Sequence, residues 1–394
     1  MRTTTRARAN RLLTHQERGT PHVCFDATSY TPAGKGAATY TYELLGALHA
    51  LDASARVTVI ARESVAQQLQ ARLAGWVVVP KPVRSALAWH LFGLPRFVAE
   101  IAADVVHVLH ETPIGRMPVP YCMSVHELPE LRRRYSADDL TSLYSTISSR
   151  VTERLLPQSC CRAGHLFALS ESTARDLAHL YGVPSGHISV VYPGVSRRFF
   201  QPDTEAPSEW IRRLPTPYVL TFATGDGREI PEQAIEAFGS VFHQIPHTLV
   251  VAGRCPARLC MRLQALVTRA GCQDRVAFTG YVPEAELPAL YRSASVYVDL
   301  SRYEGFGLQV AEAMAAGTPT IATAIPAIAE VVGPTGYVVQ AGDAQSLADQ
   351  LLELLLTPES ELRFSRDAFS ARAATFRWET AAQKVWSTIE AMLQ

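Results

Sequence analysis

From residue 22 onward the chain alternates short apolar runs with longer amphipathic ones, and this rhythm restricts the fold more than any other feature. In the first half, HVCFDAT (22–28), RVTVIA (56–61), GWVVVP (75–80), DVVHVL (104–109), YCMSV (121–125), LFALS (166–170) and ISVVY (188–192) read as strands. In the second, YVLTFA (218–223), HTLVVAG (247–253), RVAFTG (275–280), SVYVDL (295–300), PTIAT (319–323) and GYVVQ (336–340) do the same. Helical stretches such as TYTYELLGALHAL, ESTARDLAHLYG and PEQAIEAFGSVFHQ separate them. Strands that are apolar throughout are buried on both faces, which calls for parallel sheets covered by helices on each side. The polar, proline-bearing stretch 196–217 divides the two sets. The expected fold is α/β, with two Rossmann-like domains facing across a central cleft.

The expected boundaries are a disordered basic extension at 1–20, an N-terminal domain at 21–213, a C-terminal domain at 214–375, and a helix at 376–394 packing back toward the first domain. Residues 1–20 hold five arginines and one glutamate but no apolar core of the kind a signal peptide needs. No run of eighteen apolar residues predicts a membrane span. The segment RSALAWHLFGLPRFVA (84–99) sets Trp89, Phe92 and Phe97 between arginines, which core packing explains and which leaves a peripheral membrane contact open. The expected location is cytoplasmic, with or without attachment to the inner membrane face.

Lys+Arg and Asp+Glu balance at 37 each, so no overall basic field for nucleic acid exists. The seven cysteines form no CxxC pair and read as buried or idle thiols in a reducing compartment. Asp138 and Asp139 are adjacent rather than spaced as a DxD, and no metal is expected.

Residues 295–317 run SVYVDLSRYEGFGLQVAEAMAAG, a strand, a loop and a helix. Gly305 and Gly307 permit close backbone approach, and free N–H groups at the start of the helix near Gly307 would attract phosphate. Glu304 lies in the loop and Glu312 about a turn and a half into the helix. Two carboxylates beside a phosphate site need another partner, and sugar hydroxyls supply one. Solvated glutamates on an amphipathic helix are the plain alternative.

The context of that pair resembles the retaining glycosyltransferases of family 4, which have the GT-B fold. Glu304 and Glu312 match the family's E-x7-E motif within YEGFGLQVAEAMAAGTPTIAT. VAFTGYVPEAELPALYRSASVYVDL, IAEVVGPTGYVV, SVHELPE, ALSESTARDLAHLYGVP and VVYPGV extend the resemblance from residue 22 to the terminal FRWETAAQKVW. It implies that the first domain binds the acceptor and the second the donor. By position, Glu304 would contact the donor sugar and Glu312 the ribose hydroxyls. Amides at Phe306, Gly307 and Leu308 would receive the diphosphate. His126 would face the sugar from the opposite wall, with Gly34 and Gly36 near the phosphates. The implied reaction moves a hexose from a nucleoside-diphosphate sugar to a glycan, lipid-linked or small-molecule hydroxyl with retention, and needs no cofactor or metal. The region near Arg228 is similar to a mannosyltransferase-like branch.

One stretch departs from the family. In FATGDGREIPEQAIEAF the usual lysine position holds Glu229 and the usual arginine position holds Thr224, leaving Arg228. A charge-assisted hydrogen bond to phosphate contributes about 1.5–3 kcal/mol. A carboxylate roughly 5 Å away would add about 3 kcal/mol of repulsion. Unless Glu229 turns away, or Lys35, Arg228 or Arg254 compensates, the swing of about 5 kcal/mol would remove donor binding. This motivates an alternative reading as a degenerate binding or partner protein. Another GT-B enzyme, an epimerase or a phosphorylase, is the third.

Overall fold

The computed structural model describes residues 19–31, 36–51, 55–136, 143–201 and 208–394. The expectations for residues 1–18, for Gly34 and Lys35, and for Asp138 and Asp139 lie outside the described residues.

Thirteen strands form among the described residues, one in each of the thirteen apolar runs. The first sheet contains β1 (His22–Asp26), β2 (Arg56–Arg62), β3 (Val77–Lys81), β4 (Val105–Val108), β5 (Tyr121–Val125), β6 (His165–Ala168) and β7 (Ile188–Val190), in the order β3-β2-β1-β4-β5-β6-β7. The second contains β8 (Tyr218–Phe222), β9 (Thr248–Ala252), β10 (Val276–Gly280), β11 (Val296–Asp299), β12 (Thr320–Thr323) and β13 (Tyr337–Val339), in the order β10-β9-β8-β11-β12-β13. Every pairing in the second sheet is parallel. The chain thus holds two parallel-sheet, Rossmann-like halves. Every residue of β1 and of β12 is buried, as strands covered on both faces require.

By packing, the chain divides into two compact units. One gathers residues up to Ser124 with Leu155–Phe167 and Ala382–Gln394; the other gathers Val125–Arg154 with Ala168–Ala381.

In the second sheet the chain leaves β8 toward β9 on one side and later returns to β11 on the other, so a topological switch point lies between β8 and β11. Loops beyond the carboxyl ends of such neighbours flank a natural ligand crevice. Here they are 223–230 and 300–307, which run antiparallel. Ile230 N–H donates to Leu300 O (2.9 Å), Arg302 N–H donates to Arg228 O (3.0 Å), and Glu229 bridges Ser301.

In the first unit, Trp89 and Phe97 pack inward, whereas Phe92 is 74% exposed on a short π-helical turn, Trp89–Gly93. Among the described residues no helix is long and apolar enough to cross a membrane, and no group of three His, Cys, Asp or Glu side chains is arranged to hold a metal ion. All seven cysteines are free thiols; Cys24, Cys122, Cys160 and Cys272 are buried.

Candidate functional site

Helix α1 (Leu308–Ala315) follows β11 and the 300–307 loop. Its N-cap, Gly307, has φ +95°, a conformation natural to glycine, and turns the chain so that the first amides of the helix open toward the loop. Phe306 is buried, its ring edge-on to Phe376 at 5.2 Å and tilted against Tyr192, so the aromatic cluster fixes the backbone that precedes the helix. Leu308 is the first helical residue. Glu312 is buried, not solvated. Tyr291 is held well above its ordinary pKa by burial, with the Glu312 charge adding to the effect.

Gly305 has a second reason to be glycine. A Cβ there would lie 1.8 Å from the carbonyl oxygen of His126, so the two backbones touch. The hydroxyl of Thr173 lies 3.4 Å from both the His126 and the Gly305 carbonyls, and Leu128 N–H donates to the Tyr303 hydroxyl at 3.1 Å. Residues 126–128 are therefore fastened to the loop that carries Glu304. This brings half-buried His126 into the same constellation as the expected donor-facing residues.

Glu304 accepts a hydrogen bond from Ser301 Oγ at 2.8 Å and stands 3.8 Å from Arg228 Nη1. Burial pushes its carboxyl up to about 7; Arg228 opposes that, half-buried Asp299 and Glu127 reinforce it, and the Ser301 hydroxyl draws it down. Near neutrality Glu304 is thus divided between acid and carboxylate. Asp299 is itself raised by burial, although the Tyr297 hydroxyl donates to it at 2.6 Å.

Arg228 is the hub. Its Nε and Nη2 donate to the two oxygens of Asp226 at 3.0 and 2.9 Å, and its Nη1 donates to Glu127 and, at 3.3 Å, to Tyr303 O. Arg132 joins the same acids, at 2.9 Å to Glu127 and 3.2 Å to Asp226. Burial would raise Asp226, but hydrogen bonds and charge from Arg228, with Arg132 beyond, hold it well below the usual carboxylate range.

The two positions that depart from the family pattern bond to each other. Glu229 accepts from the backbone N–H of Thr224 at 2.7 Å and from the Thr224 hydroxyl. The acid in the lysine position therefore has a partner in the residue at the arginine position, and the pair closes the loop on itself. Of the other sequence candidates, Gly36 is exposed at the start of the helix Gly36–His49, with open space where a Cβ would go.

Sequence reasoning missed Glu127, Asp226, Tyr303, Thr173 and Asp299. Asp226 had a local signal, because its Oδ1 accepts the N–H of Arg228 two residues on, the usual habit of aspartate in a turn. The others are joined to the site only through the tertiary fold.

In the first unit, buried Asp26 at the end of β1 accepts from Trp89 Nε1 and from His90 Nε2, both at 3.1 Å, and from Thr28 N–H at 2.8 Å. Burial opposes its charge, and His90 together with the hydrogen bonds from Thr28 outweighs burial to lower its pKa.

Two parallel-sheet halves, with carboxylates gathered beyond the switch point of the second, match the GT-B fold. The model described as "Glycosyl transferases group 1" matches residues 204–370, and that described as "Glycosyltransferase Family 4" matches residues 34–199. A D-inositol 3-phosphate glycosyltransferase from Corynebacterium glutamicum is 30% identical over 278 residues, 67% of this chain and 65% of its own length. A mannosylfructose-phosphate synthase from Agrobacterium fabrum is 25% identical over 295 residues, 70% of this chain and 64% of its own length. The chain thus spans somewhat less than two thirds of these relatives. Among solved structures, a sucrose-phosphate synthase from Thermosynechococcus elongatus matches with TM-score 0.71 and 21% identity, covering 94% of this chain and 99% of that one. Anabaena HepE in complex with UDP and glucose matches with TM-score 0.65 and 18% identity, covering 94% and 100%. The chain belongs to glycosyltransferase family 4.

Proposed function

We propose that this protein is a retaining hexosyltransferase that moves a hexose from a nucleoside-diphosphate sugar to a hydroxyl of a glycan, lipid-linked or small-molecule acceptor, without a metal. The observation that carries the reading is the loop and helix start that carry Glu304, its carboxyl pushed up to about 7, and buried Glu312. Amides at Phe306, Gly307 and Leu308 receive the diphosphate, where leaving-group charge develops and oriented dipoles stabilise it. Glu312 takes the ribose hydroxyls, while Glu304 and His126 address the sugar. By the family resemblance, Gly34, Lys35 and Gly36 are the residues expected to supply a second phosphate contact. The name of one relative, the mannosylfructose-phosphate synthase, supports a mannosyltransferase-like donor, while the names of the others vary. Cytoplasmic work on a nucleotide sugar, with or without peripheral attachment through the face that exposes Phe92, fits the same reading.

A second reading has its own observation. Arg228 is engaged by carboxylates and Glu229 stands in the lysine position, which favours a degenerate partner protein without donor affinity. Thermal midpoints measured with UDP, GDP, ADP and dTDP decide between them. A ligand at 100 times its Kd adds about 2.7 kcal/mol to stability. One nucleotide that raises the midpoint supports transfer, and Glu304→Ala should then abolish turnover. No shift with any of the four supports the partner reading.

A further inference from the structure

Arg228 occupies the position from which the sequence directs a cation at the diphosphate, yet four of its five N–H groups are taken up within the protein. A guanidinium has five N–H groups. One from Nε and one from Nη2 go to Asp226, those of Nη1 go to Glu127 and Tyr303 O, and Glu304 Oε2 lies 3.8 Å beyond Nη1. The side chain is only 11% exposed. To grip a phosphate with two N–H groups, as a guanidinium fork does, it would have to release one of these partners, and release of an acid would leave a desolvated anion unpaired.

The geometry points to a different role: we propose that Arg228 is a positioning residue that holds Glu304 and the His126–Glu127 turn in register for the donor sugar, and that it does not ligate the diphosphate. This rests on the glycosyl-transfer reading above and assigns one residue within it. The acids on Arg228 belong to three separate loops, so one planar group sets their spacing. Glu127 adjoins His126 in the chain, and Glu304 adjoins Gly305, whose backbone touches His126 O. Arg132 closes a ring by binding Glu127 and Asp226, but its side chain is 52% exposed and no bond joins it to Glu304 among the described contacts. The groups acting on Glu304 are then Arg228 and the Ser301 hydroxyl on one side of the balance, Asp299 and Glu127 on the other. Glu229, tied to Thr224, leaves Arg228 in place.

The test follows the Glu304 carboxyl by 13C NMR across pH in the unliganded protein, as wild type, Arg228→Ala and Arg228→Lys, with the resonance assigned by its absence in Glu304→Gln. Binding of UDP, GDP, ADP and dTDP, and turnover of UDP-glucose and GDP-mannose, are measured on the same variants. In Arg228→Ala the Glu304 midpoint should rise by about one pH unit or more. Turnover should fall roughly 10- to 100-fold while nucleotide Kd stays within about threefold. Arg228→Lys should restore the midpoint more than the turnover, since it keeps the charge but not the fork. An unmoved Glu304 midpoint overturns the proposal. So does a nucleotide Kd weakened more than about tenfold with turnover at saturation unchanged, which would make Arg228 a phosphate ligand. If wild type binds none of the nucleotides, the transfer reading fails, while the Glu304 titration still decides whether Arg228 positions that carboxyl.

Discussion

Replacing Glu229 with lysine restores the charge that the family usually places there, and the structure says what this would disturb. The Glu229 carboxylate accepts the Thr224 backbone N–H at 2.7 Å and the Thr224 hydroxyl. Each charge-assisted bond contributes about 1.5–3 kcal/mol when fully formed in the interior. The loop is only partly buried, so a combined loss of about 2–3 kcal/mol is expected on Glu229→Lys. For a unit of this size each kcal/mol moves the midpoint by about 2–4 °C, giving a drop of about 4–12 °C without ligand. The nucleotide should feel the opposite effect. Exchanging an anion for a cation roughly 5 Å from a phosphate changes the interaction by about 3 kcal/mol per unit charge before screening. With screening, a gain of about 1.4–3 kcal/mol is expected, roughly 10- to 150-fold in Kd. Differential scanning fluorimetry with and without UDP or GDP reads both effects in one experiment. Glu229→Gln, which keeps an acceptor but no charge, should lose less stability and gain less affinity. If Glu229→Lys leaves the unliganded midpoint within about 1 °C of wild type, the carboxylate is not what closes the loop, and the reasoning fails.

Two further outcomes follow from the same geometry. Gly305→Ala would place a methyl group 1.8 Å from His126 O, so the fastening of residues 126–128 must open. A loss of about 1–3 kcal/mol is expected, read by urea denaturation, against a neutral or slightly stabilising Gly36→Ala, where nothing lies within 4 Å. The Glu304 carboxyl, raised from 4.5 to about 7, makes the folded state prefer the proton. Its contribution is therefore fully present below pH 4.5 and is lost as pH rises through 7, by about 3 kcal/mol in all. Denaturation midpoints measured across that window should decline less in Glu304→Gln than in wild type; equal slopes would refute the assignment.

The fold was legible because parallel sheets write themselves into the chain locally. A strand buried on both faces has no polar alternate position, so HVCFD or TIAT announces itself without reference to anything distant. Glu304, Glu312 and Gly307 were legible for a similar reason, since a strand, a loop and a helix terminus are neighbours in sequence. The charge balance around them was not. Arg228 meets Glu127 across 101 residues, and Leu128 meets Tyr303 across 175. No spacing rule links such pairs, because their proximity is a property of the tertiary fold. Gly305 marks the boundary between the two kinds of information. The residue itself declares that something must come closer than a Cβ allows, and a ligand phosphate is the natural guess from the motif. What comes closer on the Cβ side is the His126 carbonyl, so the glycine serves the juxtaposition of two loops. An aspartate or arginine in such a loop carries the same ambiguity. Its charge is written in the sequence, but whether that charge faces a substrate or another side chain depends on residues a hundred positions away. Arg228, with two carboxylates and a carbonyl within hydrogen-bonding distance, faces side chains.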